Sequence, residues 1–166
     1  PFSGAQHGVA IYVLNEDTVA RTVHVLDNTV SGFQKNAMAL NAGATTPLTV
    51  DVQRNLVTGA GATTVTAQNG IQVSGALTTG TVAGNTISGI AYDGSGWAAS
   101  SILVYYADVT ITGNTVINGH VGVYIYLGPA EIVENNFTII KAGGFGYGVI
   151  VVDPPGALPS PYGEIE

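Results

Sequence analysis

A motif built around asparagine returns five times along this 166-residue chain, at Asn28, Asn55, Asn85, Asn114 and Asn135. Five positions before these residues stand Val23, Val50, Gly80, Val109 and Ala130. Three before stand Val25, Val52, Val82, Ile111 and Ile132, and two after stand Val30, Val57, Ile87, Val116 and Phe137. A unit this short cannot bury its apolar side chains alone, so its repetition implies stacked units that bury them against one another.

A second element interleaves with the first. It reads Gly8-Val-Ala-Ile11, Ala37-Met-Ala-Leu40, Gly70-Ile-Gln-Val73, Ser101-Ile-Leu-Val104, Gly122-Val-Tyr-Ile125 and Gly148-Val-Ile-Val151. Both elements alternate apolar with polar residues, the period of a half-buried strand. They predict parallel strands at Val23–Val25, Val50–Val52, Val109–Ile111 and Ile132–Val133, and a further parallel sheet from the second element. The small residue opening the second element is expected at a corner of the backbone. The asparagines are expected at equivalent turns, bonding along the stack and to the bent backbone. No segment carries a helical stripe with cap signals.

The small-Ile-x-Val element followed by Ile-x-x-Asn-x-Ile resembles the right-handed parallel β-helix repeat of the pectin-lyase-like superfold. The resemblance covers residues 7 to 152 and implies an all-β fold, a single-stranded right-handed solenoid of about six coils stacked about 4.8 Å apart. Residues 1–152 are expected to form the β-helix domain. The Pro-rich segment 153–166 is expected to be a tail or linker, because proline cannot continue a sheet ladder.

Only 9% of the residues are charged, and the net charge is -7. That balance disfavours nucleic-acid binding, since like charges repel the phosphate backbone. The chain has no cysteine, so disulfides and thiolate metal sites are excluded. No run approaches the apolar length of a membrane span. The chain opens at Pro1 without an initiator Met or a signal peptide, as expected of a piece of a longer, exported polypeptide, extracellular or at the cell surface.

With charges so sparse, their placement matters. His24 and Asp51 share one position of the repeat, and Asp27 and Arg54 share another, so stacking two coils brings all four together. Such a set could perform acid–base chemistry on a sugar, or it could be two cross-coil ion pairs on a solvated face. No cofactor is expected, and calcium is compatible with the carboxylates but indicated by no acidic loop. A second cluster is aromatic: Leu103, Tyr105, Tyr124, Tyr126, Ile150 and Val152 should project outward together, where earlier coils carry Ala39, Asn41, Gln72 and Ser74. A patch of this kind is expected to be covered, by a polysaccharide, by a neighbouring subunit in a homo-oligomer, or by the Pro-rich tail folding back. Trp97, in the loop Tyr92-Asp-Gly-Ser-Gly-Trp97, is either a sugar platform with Asp93 bonding a hydroxyl or a plug packed on the rod.

Many relatives implied by the resemblance are polysaccharide lyases, hydrolases or epimerases. The hydrolase motifs Asn-Thr-Asp, Asp-Asp, Gly-His-Gly and Arg-Ile-Lys are absent, Gly119-His120-Val121 being the nearest approach. The leading expectation is therefore a non-catalytic scaffold or polysaccharide-binding segment. The alternatives are a polysaccharide lyase or hydrolase working through His24, Asp27, Asp51 and Arg54, and a structural adhesin or phage-tail-like spike.

Overall fold

In the computed structural model, which describes residues 8–153 and the strand Gly163–Ile165, the chain winds into stacked coils of three strands each. The first coil holds β1 (Val9–Asn15), β2 (Arg21–Leu26) and β3 (Thr29–Ser31). The second holds β4 (Asn36–Ala42), β5 (Leu48–Gln53) and β6 (Leu56–Thr63). The third holds β7 (Asn69–Ser74), β8 (Thr78–Ala83) and β9 (Thr86–Tyr92). The fourth holds β10 (Ser100–Tyr105), β11 (Asp108–Thr112) and β12 (Thr115–Gly119). The fifth holds β13 (Val121–Tyr126), β14 (Ala130–Val133) and β15 (Asn136–Ile139), and β16 (Tyr147–Val152) and β17 (Gly163–Ile165) begin another.

Every third strand pairs in parallel, giving sheet A (β1-β4-β7-β10-β13-β16), sheet B (β2-β5-β8-β11-β14-β17) and sheet C (β3-β6-β9-β12-β15). The fold is thus an all-β parallel solenoid of about five turns. Among the described residues no helix is long and apolar enough to cross a membrane. Residues 154–162 and 166 of the expected tail lie outside the described residues, whereas the backbone of Gly163–Ile165 pairs with β14.

The predicted columns exist. Val25, Val52, Val82, Ile111 and Ile132 are register partners along sheet B, and none is more than 6% exposed. Sheet A contributes Met38, Leu40, Ile71, Val73, Ile102 and Val104, each fully buried. The residues two after each asparagine form a third wall: Val57, Ile87 and Val116 are fully buried in sheet C. Two sheets were expected, and the third is a finding. Its first strand spans only Thr29–Ser31, too short to display an alternation.

Two details depart from the sequence expectation. The small residue of the second element does not end a strand: Gly70 lies inside β7 and Gly122 inside β13. A Cβ on Gly70 would lie 3.0 Å from Ile87 Cγ2 and 2.4 Å from the Ser101 carbonyl, and one on Gly122 would lie 2.6 Å from Phe137 Cδ1. Smallness here makes room for the sheet C wall. In the first coil the element is Ala10-Ile-Tyr-Val13, since Ile11 pairs with Met38 and Val13 with Leu40. A slip of two residues leaves the same face inward, so alternation alone leaves that frame open.

The asparagines do occupy equivalent turns. In every coil a two-residue turn joins sheet B to sheet C, and the asparagine is its second residue. The first residue is left-handed, with φ of 58° at Asp27, 54° at Arg54, 60° at Gly84, 61° at Gly113 and 55° at Glu134. Each asparagine Oδ1 accepts the backbone N–H of the asparagine one coil earlier: Asn55 from Asn28 at 2.9 Å, Asn85 from Asn55 at 2.9 Å, Asn114 from Asn85 at 3.0 Å and Asn135 from Asn114 at 2.9 Å. Its Nδ2 donates to a sheet B carbonyl of that earlier coil, Asn85 to Val52 at 2.9 Å for example. Asn55, Asn85 and Asn114 are at most 1% exposed, so these bonds satisfy backbone groups that water cannot reach.

Two substitutions test this architecture by chemical denaturation. Ile111→Ala should destabilise by about 2–5 kcal/mol, because it opens a cavity in a filled column. Asn85→Ala should cost at least about 2 kcal/mol by stranding the Asn55 amide and the Val52 carbonyl, and Asn28→Ala, at the end of the ladder, distinctly less. Equal losses at Asn85 and Asn28 would mean that the ladder is not what stabilises the turn.

Candidate functional site

The stacking of β2 on β5 brings the four sparse charges together. His24 and Asp51 are register partners, with His24 Nδ1 2.9 Å from Asp51 Oδ2. Arg54 donates to Asp27 through Nε and Nη2, both at 2.8 Å. Gln53 links the pairs: its Nε2 donates to Asp51 Oδ1, and its Oε1 accepts from Arg54 Nη1 at 3.0 Å. The hydrogen bond from His24 holds the Asp51 carboxyl below the usual range, and that from Arg54 does the same for Asp27. Each oxygen of both carboxylates thus has a partner inside the cluster. Among the described residues no group of three or more His, Cys, Asp or Glu is placed to hold a metal ion.

The aromatic cluster lies on the outer face of sheet A. Leu103, Tyr124 and Ile150 are aligned across β10, β13 and β16, as are Tyr105, Tyr126 and Val152. The rings of Tyr105 and Tyr126 stack with centroids 4.9 Å apart and an interplanar angle of 8°. Tyr106, which the sequence did not single out, adds a third ring edge-on to Tyr105 at 4.7 Å. It does so from a left-handed backbone, φ 62°, at the turn position where the preceding coil has Gly75. A tyrosine beyond the predicted strand carries no alternation to reveal it. The glycine at the matching place was the only signal.

The walls of the patch come from the connections between sheets C and A, which vary in length. Residues 93–99 join β9 to β10 and residues 140–146 join β15 to β16, but between them His120 alone joins β12 to β13. The two long loops close over this short link. Asp93 Oδ1 accepts the Gly143 N–H at 2.9 Å, and the Phe145 ring lies on His120 with centroids 4.3 Å apart. The Asp93 carboxylate therefore ties loop to loop. Trp97 is not packed down on the rod, being 74% exposed.

The result is a groove of about 650 Å³ over sheet A. Leu103, Tyr105, Tyr124, Tyr126 and Ile150 contribute sheet side chains, Trp97 and Phe145 the two loops, and Lys35, Asn69 and Ser100 a polar end. The predicted Tyr105, Tyr124, Tyr126 and Trp97 are brought together, with Asp93 bracing the wall. His24, Asp27, Asp51 and Arg54 lie on sheet B and its following turn, away from this groove. Lys35 was missed in the sequence because it falls in a connection outside both repeated elements. Comparison with protein-family models, curated proteins and solved structures gives no match.

His120 is fully buried. Its Nδ1 accepts the Ala99 N–H at 3.4 Å, and its Nε2 makes no hydrogen bond of normal geometry among the described residues. Burial holds the imidazole below its ordinary value of 6.5, against smaller upward pulls from Asp93 and the Ala142 backbone. The folded state thus favours the neutral ring. Its contribution to stability is present above the ordinary value and is lost as pH falls below it, where the unfolded chain takes up the proton first. Thermal unfolding from about pH 7 down to about pH 5 should show a falling midpoint, and His120→Gln should flatten that slope. The same slope in both proteins would place the titration elsewhere.

Proposed function

We propose that this chain is a non-catalytic segment of an extracellular or cell-surface protein, built on the right-handed β-helix of the pectin-lyase-like superfold, and that the sheet A face binds polysaccharide. The observation that carries the reading is the open indole of Trp97, 74% exposed at a groove that Tyr105, Tyr124 and Tyr126 also line. Aromatic faces with a polar tip suit the apolar faces of sugar rings. A variable loop on a rigid rod is also where binding residues collect. The enzymatic alternative through His24, Asp27, Asp51 and Arg54 has less support, because these groups are engaged with one another and solvent-screened.

A second reading has an observation of its own. Tyr105 and Tyr126 stack on each other, and that spacing is tighter than a sugar repeat, which favours packing over sugar recognition; on this reading the face is a subunit interface. The readings separate by experiment. If the groove binds glycan, Trp97→Ala should lower retention on pectin, alginate or xylan severalfold with no change in mass by light scattering. If the face is an interface, the double variant Tyr105→Ser, Tyr126→Ser should dissociate an oligomer without altering glycan retention. Unchanged behaviour in both assays would refute both.

A further inference from the structure

We infer that the groove over sheet A takes a carboxylate carried on an apolar body, with Lys35 as the anchor of the carboxylate. The inference rests on the reading above only in treating this groove as a ligand site; it differs in the class of ligand.

The first observation is an uncompensated cation. The chain has four Lys and Arg residues. Arg21 pairs with Asp17 and Arg54 with Asp27, whereas Lys35 and Lys141 have no carboxylate partner among the described residues; Lys141 is exposed to water and Lys35 is not fully so. It lies half-buried at one end of the groove, where its Nζ donates to the Ala67 carbonyl. An ammonium has three donors, and among the described residues only one of them is engaged. Desolvation lowers the Lys35 pKa, and an anion beside it would offset that by favouring the charged form. In a chain of net charge -7, such a cation at the mouth of a groove is where an anion would be held.

The second observation is the division of the groove. Asn69 and Ser100 flank the Lys35 end: the Asn69 N–H bonds the Lys35 carbonyl at 2.8 Å, and Ser100 pairs with Asn69. Three residues further along the strands the side chains become Leu103, Tyr124 and Ile150, with Phe145 from the far loop. The distance from the strand after Lys35 to β16 is four inter-strand steps, about 19 Å. Along this floor the polar groups are the hydroxyls of Tyr105, Tyr124 and Tyr126. An alkyl chain or aromatic ring would bury apolar surface there while its carboxylate stayed with Lys35, Asn69 and Ser100.

Isothermal calorimetry on the whole chain tests this with dodecanoate below its micelle concentration, trans-cinnamate, neutral dodecanol, glucuronate and xylohexaose. Dodecanoate or cinnamate should bind. Dodecanol should bind at least about tenfold more weakly than dodecanoate, and Lys35→Met should weaken dodecanoate by a similar factor. The two carboxylates distinguish a chain from a ring as the apolar body. Equal binding of dodecanoate and dodecanol to the unaltered protein would overturn the role of Lys35 without any variant having to fold. Binding of glucuronate but neither apolar carboxylate would overturn the apolar body. Binding of xylohexaose, unaffected by Lys35→Met, would uphold the polysaccharide reading and refute this one. No binding of any probe would refute both.

Discussion

The structure depends on how one two-residue turn handles its backbone. Where sheet B passes to sheet C the chain turns a corner of the stack, and the asparagine amide takes up the groups that the corner leaves unpaired. Oδ1 accepts an N–H from the coil before, and Nδ2 reaches the carbonyls around it. Leaving such groups buried without partners would cost about 1–3 kcal/mol each. Aspartate could not donate and leucine could do neither. The residue before the asparagine must turn left-handed, which glycine does freely and other residues at a cost of roughly 1–2 kcal/mol. Asp27, Arg54 and Glu134 nevertheless stand there.

Because this turn never changes length, sheet B and the start of each sheet C strand stay in register from coil to coil; sheet C shifts register only further along, between Thr58 and Gly61 and between Ile117 and Gly119, and the larger variation falls at the other two corners. The connections from sheet C to sheet A range from His120 alone to the segments 93–99 and 140–146. A short link between two long ones lets the long ones meet, through Asp93 and Gly143 and through Phe145 on His120. The groove is a by-product of that meeting. A regular rod with equal loops would present a flat face instead.

Charge is used differently on the two faces. Around β2 and β5 the network of His24, Asp51, Gln53, Arg54 and Asp27 is exposed and internally compensated, and such pairs add little to stability in water. Lys35 faces the opposite situation. It is partly withdrawn from water, with a backbone carbonyl as its partner. The compensated network explains itself as surface structure, whereas a half-buried ammonium in an aromatic groove calls for a counter-charge.

The apolar columns and the asparagine turns were legible in the sequence. Strand alternation and a turn amide are local requirements, repeated in every coil, and repetition makes a weak local signal strong. The outward set of Leu103, Tyr105, Tyr124 and Tyr126 followed from the same period. The tertiary structure alone decided the rest. It supplied sheet C, whose strand Thr29–Ser31 is too brief for a pattern, and the frame of the first coil, which alternation leaves open to a slip of two. It also placed Tyr106 against Tyr105, and set Lys35, Trp97 and Phe145 around one groove although long stretches of chain separate them. These last arrangements are set by the lengths and mutual contacts of loops, and a loop has no period from which its position can be read.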